Sequence, residues 1–123
     1  MSIETDINDA LKAYAGLTAL VGTQIYLGPL PPSVTFPAIR YNWITHQPTH
    51  NLKGRDSLAR TVFQYDIWAT TSASIRDIRA QLIAAIESAS AFESILLDVQ
   101  AEMPENDQEL RRLSLDYSHW HTF

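Results

Sequence analysis

The chain has 123 residues, 46% of them hydrophobic and 19% charged, with a formal net charge of −5. This describes a single globular domain over 1–123, able to bury roughly two-thirds of its unfolded surface, rather than a disordered chain. The acidic balance argues against a dedicated DNA- or RNA-binding module, zero cysteines exclude a disulfide framework or thiolate metal site, and no apolar run nears the ~20 residues that span a bilayer.

The amino terminus, MSIETDIND, lacks a basic-then-apolar signal pattern, so a soluble protein without a membrane partner is expected. Ser2 is placed to cap a first helix, with Glu4 and Asp6 near its positive end and Ile3, Ile7, Ala10, Leu11 and Tyr14 on one face. Gly16 reads as its C′ residue, and Leu17–Val21 as a further short turn closed by Gly22. Ile25–Leu27 is a short strand candidate, followed by the proline-rich connection Gly28-Pro29-Leu30-Pro31-Pro32.

In Ala38–Thr45, Ile39, Tyr41 and Trp43 alternate with Arg40, Asn42 and Ile44, which predicts a strand with Trp43 in the core. The segment His46–Ser57 (HQPTHNLKGRDS) is almost devoid of apolar residues and reads as a long loop, mobile in a free subunit. A strand over Arg60–Ala69 leads to cap candidates in Thr70–Ser74 and a helix with Ile75, Ile78, Leu82, Ile83 and Ile86 at core spacing. Ser94–Met103 reads as a strand, Pro104–Glu109 as an acidic turn and Leu110–Trp120 as the last strand. This order predicts an α+β fold: an antiparallel sheet of four to five strands with two helices packed on one face.

Two segments are alike: Leu58–Thr71 (LARTVFQYDIWATT) and Leu110–Phe123 (LRRLSLDYSHWHTF). In each, period-two alternation gives one apolar and one wetter face, and Trp68 and Trp120 fall on the mixed or polar face. A large indole there is expected to be covered by a helix or buried by a neighbouring subunit. Charge is also segregated. Glu87 to Glu109 holds seven acids and no Lys or Arg, whereas His46–Arg60 holds Lys53, Arg55 and Arg60 against Asp56 alone. A solvated pair of segments explains this, and so does an assembly in which a basic loop meets an acidic edge. On the second reading the partner-binding residues are Lys53, Arg55, Arg60, Trp68, Glu102, Glu105, Asp107 and Trp120.

Candidate chemistry is thin. His119 and His121 share a strand face and His46 and His50 share a loop, but without further ligands no metal is expected. Ser118 and His119 are neighbours on a strand, so they point to opposite faces and cannot pair as nucleophile and base. Glycine-rich phosphate loops and dinucleotide fingerprints are missing from a chain with only four glycines. Asp66 and Asp116 are expected to face Arg40, Arg60 or Arg112 across strands rather than to act as paired catalytic carboxylates. The residues therefore predict no enzyme, no cofactor and an assembling protein. The alternative is a stand-alone ligand-binding or regulatory α+β domain with a pocket between sheet and helices.

The order of motifs resembles a known family. The amino-terminal helix, Leu17-Thr18-Ala19-Leu20-Val21-Gly22 with Ile25-Tyr26, and Phe36-Pro37-Ala38-Ile39-Arg40-Tyr41 begin the pattern. Val62-Phe63-Gln64-Tyr65-Asp66-Ile67-Trp68-Ala69, a helix and Leu113-Ser114-Leu115-Asp116-Tyr117-Ser118-His119-Trp120 complete it. Together these resemble the tail-completion (tail-terminator, head–tail joining) proteins of long-tailed bacteriophages and gene-transfer particles. The resemblance implies a small α+β structural subunit without catalytic residues. It implies a homo-oligomeric ring, commonly a hexamer, that terminates the tail tube and joins it to the head connector. The implied partners are the chain itself, the tail-tube protein and the head–tail connector protein, with DNA passing through the bore without specific binding. The implied location is the virion tail, after synthesis in the host bacterial cytoplasm.

Overall fold

The computed structural model describes residues 3–51, 54–90, 92–104 and 110–122, with the backbone alone for 46–51, 54–59, 101–104 and 122. In chain order the elements are α1 (Ile3–Ala13), α2 (Ala15–Val21), β1 (Ile25–Leu27), β2 (Ala38–Asn51), β3 (Gly54–Ala69), α3 (Ser72–Ser88), β4 (Glu93–Pro104) and β5 (Arg111–Thr122). The strands form one sheet in the order β1-β2-β3-β5-β4. The fold is α+β, as expected, with two refinements: α2 makes a third helix, and β1 runs parallel to β2 while every other pair is antiparallel.

The helices lie on one face, and sequence periodicity explains why. Ile3, Ile7 and Leu11 of α1, Leu17 and Val21 of α2, and Ile75, Ile78, Leu82, Ala85 and Ile86 of α3 are all buried. They join Ile39, Tyr41, Phe63, Tyr65, Ile67, Leu113, Leu115 and Tyr117 of the sheet in one core. Thr71 caps α3, its Oγ1 accepting from the Ser74 amide at 3.1 Å. Gly22 closes α2 at φ 61°, as its expected C-cap role requires. Gly16, expected at the end of α1, instead lies inside α2, where a Cβ would collide with the Gln81 side chain of α3. The expected Ser2 cap and the acidic turn beyond Pro104 lie outside the described residues.

Two other expectations need correction. The stretch His46–Ser57 is mostly strand, not loop: β2 continues to Asn51, β3 starts at Gly54, and the pairing runs out to Asn51↔Gly54. Pro48 is tolerated because β1 pairs with β2 only at Ile39, Arg40 and Tyr41, so further along β2 is an edge strand. Trp43 was expected in the core by its parity with Ile39 and Tyr41, yet it is 59% exposed. A side chain's face is set by parity; its burial depends on what covers that face. Trp43 stands level with the buried Phe63 and Tyr117 but on the part of β2 that β1 does not flank, and its indole is left largely exposed.

Candidate functional site

The sheet face opposite the helices carries the expected polar set. Asp66 of β3, 0% exposed, stands at its centre. Arg40 Nη2 donates to its Oδ2 at 2.8 Å, while Ser114 Oγ and Gln64 Nε2 donate to its Oδ1 at 2.6 and 3.0 Å. Arg112 Nε lies 3.6 Å from Oδ1. A buried carboxylate is stable only when hydrogen-bonded and charge-balanced, and β2 and β5 supply both from the two sides of β3. The predicted pairing of Asp66 with Arg40 and Arg112 is present. Arg60 Nε instead donates to Ser118 Oγ at 2.7 Å.

Trp68 is sandwiched by the same cations. The Arg40 and Arg112 guanidinium carbons lie 5.0 and 5.6 Å from its ring centre. The indole is only 5% exposed, closed by two arginines of its own chain rather than by a helix or a neighbouring subunit. Trp120 lies on the same face, opposite Arg60 on β3 and Glu93 on β4, and remains partly exposed. Asp116 faces Asp98 across the β5–β4 ladder; burial, then Asp98 and Asp66, raise its pKa.

His119 and His121 belong to the helix side, and the side chains of His46 and His50 lie outside those described. His119 is fully buried among Phe63, Tyr65, Phe92 and Tyr117. Its Nε2 is 2.7 Å from Tyr65 Oη and its Nδ1 2.7 Å from Ser94 Oγ. Burial, with His121 adding to it, pushes its pKa down to about 3, so the ring is neutral. His121 Nε2 is 2.8 Å from Thr61 Oγ1. Ser118 faces the other side of the sheet, as strand alternation requires. Among the described residues no group of three or more His, Asp or Glu side chains is arranged to hold a metal. A groove of about 360 Å³ lies between α1 and the β1–β2 edge, lined by residues including Glu4, Asn8, Lys12, Tyr26 and Tyr41, and another of about 420 Å³ lies between helices, lined by residues including Asp6, Asp9, Ala13 and Ala85.

Of the remaining candidates, Arg55 and Glu102 lie on β3 and β4, whereas Lys53, Glu105 and Asp107 lie outside the described residues. Sequence reasoning missed the exposed apolar residues of the two sheet edges. Trp43 and Ile44 on β2 are 59% and 47% exposed; Ile95, Leu96, Leu97 and Val99 on β4 are 56%, 38%, 47% and 40% exposed. The run Ile95-Leu96-Leu97 was the available signal, since an edge strand with consecutive apolar residues must expose some of them.

The comparisons with known proteins bear on this arrangement. No curated protein matches the chain. A chain in the virion of a native gene transfer agent particle superimposes with a TM-score of 0.71 at 17% identity, over 99% of this chain and 96% of that one. The gp17 protein of bacteriophage SPP1 superimposes with a TM-score of 0.63 at 15% identity, over 98% of this chain and 87% of that one. The model of the family described as "Tail completion protein gp17" matches residues 5–122. The fold and that match agree, and the chain belongs to the tail completion protein gp17 family.

Proposed function

We propose that this chain is a structural protein of a tailed virion or gene-transfer particle, forming a ring that terminates the tail tube and joins it to the head connector. The observation that carries this reading is the family match over residues 5–122, almost the whole chain. A terminating ring matches the last ring of the tube on one side and presents a different surface on the other. DNA then passes through its bore, and a subunit of net charge −5 does not grip the phosphates. No catalysis and no cofactor are assigned. The partners are further copies of the chain, probed first as a hexamer, with the tail-tube and connector proteins.

Within such a ring the basic hairpin meets acidic surface. Lys53, Arg55 and Arg60 face acidic surface on a tail or connector protein, and Glu102, Glu105 and Asp107 face basic surface on another partner, with Trp120 at the margin. Trp68 drops out of this contact set because its own chain already covers it. Two experiments test the proposal. Imaging of intact tails should reveal a ring of this chain at the head-proximal end; a single isolated copy there would sink it. Replacing both Lys53 and Arg55 with Glu should leave the thermal midpoint unchanged but stop tail completion or head joining. Normal particle yield and tail length from that variant would remove the hairpin from the contact.

A further inference from the structure

We infer that copies of this chain join edge to edge: the β2 edge at Trp43–Ile44 of one copy packs against the β4 edge at Ile95–Leu97 of the next. This rests on the ring reading above and names the surfaces that build the ring. Among the described residues neither edge has a further strand beside it. β1 pairs with β2 only as far as Tyr41, and β4 is the last strand of the sheet. Free edges template strand addition, and proteins guard them with charge, proline, bulges or very short strands, leaving few exposed apolar side chains on them. Here exposed apolar side chains stand on both.

The ladder registers place the two edges at the same height. Trp43 pairs with Phe63, Phe63 with Tyr117, and Tyr117 with Leu96. One row up the hairpin, Thr45 connects through Val62 and Ser118 to Ile95; one row down, Asn42 connects through Gln64 and Asp116 to Asp98. A rotation about an axis along the strands preserves height, so it brings Trp43 and Ile44 of one copy level with Ile95, Leu96 and Leu97 of the next. Strand sense agrees. β2, β3, β5 and β4 alternate in direction, so β4 runs opposite to the neighbour's β2 and the junction is antiparallel.

Each edge also carries a register shift at this level, with Ile44 the extra residue on β2 and Leu97 the extra residue on β4. The bulged side chains, each 47% exposed, enlarge the apolar patch on each edge. Both halves of the contact reside on one chain, so a second copy is the occupant. Because the two surfaces differ, the contact is head-to-tail, the type that closes into rings.

The absence of native cysteine makes the test clean. Two variants, Ile44→Cys with Leu97→Cys and Trp43→Cys with Leu96→Cys, would be built into particles and oxidised mildly. At least one should give a reducible ladder from dimer upward on a denaturing gel. Single-cysteine variants should stay monomeric, and a mixture of complementary single variants should give dimers only. Dimers from a single-cysteine variant would mean a twofold contact and overturn the assignment. Rings seen by imaging, without cross-links from either pair, would overturn the edge assignment while leaving the ring intact. Particles lacking a ring of this chain would instead refute the functional proposal.

Discussion

The two ends of the β3–β5 ladder carry similar side chains and put them to different uses. Arg112 faces Trp68 at one end, and Arg60 faces Trp120 at the other. At the Trp68 end β2 contributes Arg40, and Asp66 holds both guanidinium groups against the indole. At the Trp120 end, Ser118 stands where the matching segment has Asp66, and Arg60 bonds to it. The inner face differs as well: Ile67 and Ala69 are matched by His119 and His121. A similar arginine–tryptophan pairing therefore becomes a closed lock where a buried acid and a second arginine, from β2, complete it. Both ends of β5 pair with β4, at Glu93↔Trp120 and at Met103↔Arg112, so the lock is made by β2 and Asp66 rather than by β4.

Truncating the two indoles gives the largest expected contrast. Trp68→Ala removes a buried ring and leaves two cations without a surface to stack on, so a cost of about 3–5 kcal/mol is expected. Trp120 is partly exposed, and Trp120→Ala should cost about 1 kcal/mol. Urea unfolding of the two variants measures both. Equal costs would mean that the Arg40–Trp68–Arg112 stack contributes nothing beyond area.

Much of this contrast was readable from the residues. Strand alternation placed Asp66, Trp68, Ser114 and Ser118 on one face, and helical spacing picked Ile75, Ile78, Leu82, Ile83 and Ile86 for the core; the structure buries all of these helix residues but Ile83, which is partly buried against the core. Patterns of period two and 3.6 are local, so a single chain segment reveals them. Outcomes that depend on distant partners were hidden. Nothing within HQPTHN predicts that β3 will pair with it out to the hairpin tip, and three residues of β1 cannot announce a parallel partner. Trp43 and Trp68 fail for one reason in opposite directions. Parity named their faces correctly, but the cover, absent over Trp43 and made of arginines over Trp68, comes from other elements.

The acid response should separate the ends next. His119 lies under the Trp120 end, held neutral by burial with its pKa lowered to about 3, while Tyr65, Ser94, Tyr117 and His121 pack around it. The unfolded ring binds protons near its ordinary pKa and the folded ring does not, so the unfolded state takes up more protons below about pH 6.5. The stabilisation is complete above that pH and is lost as pH falls towards 3. Going from pH 7 to 5 should cost roughly 2 kcal/mol from this group. His119→Phe should flatten that dependence. Hydrogen exchange at pH 5 should open the amides around Ser94 and His119 before those around Trp68; simultaneous opening would show that the ends share one cooperative unit.

The smallest effect is the most specific to the comparison. Arg112→Ala takes away a cation stacked on Trp68 and lying near a carboxylate that is 0% exposed. Arg112 is itself 28% exposed, which screens the pairing, and a loss of about 1–2 kcal/mol is expected. Arg60→Ala removes a donor to Ser118, whose hydroxyl can turn to another acceptor, so its cost should stay below about 1 kcal/mol. In Asp66→Asn the Arg112→Ala cost should shrink, because the charge it answered has gone, whereas the Arg60→Ala cost should not change. Parallel shrinkage at both sites would mean that the two ends are electrostatically one. An unchanged Arg112→Ala cost would assign the closed end to packing alone, with the buried acid needed only to neutralise Arg40.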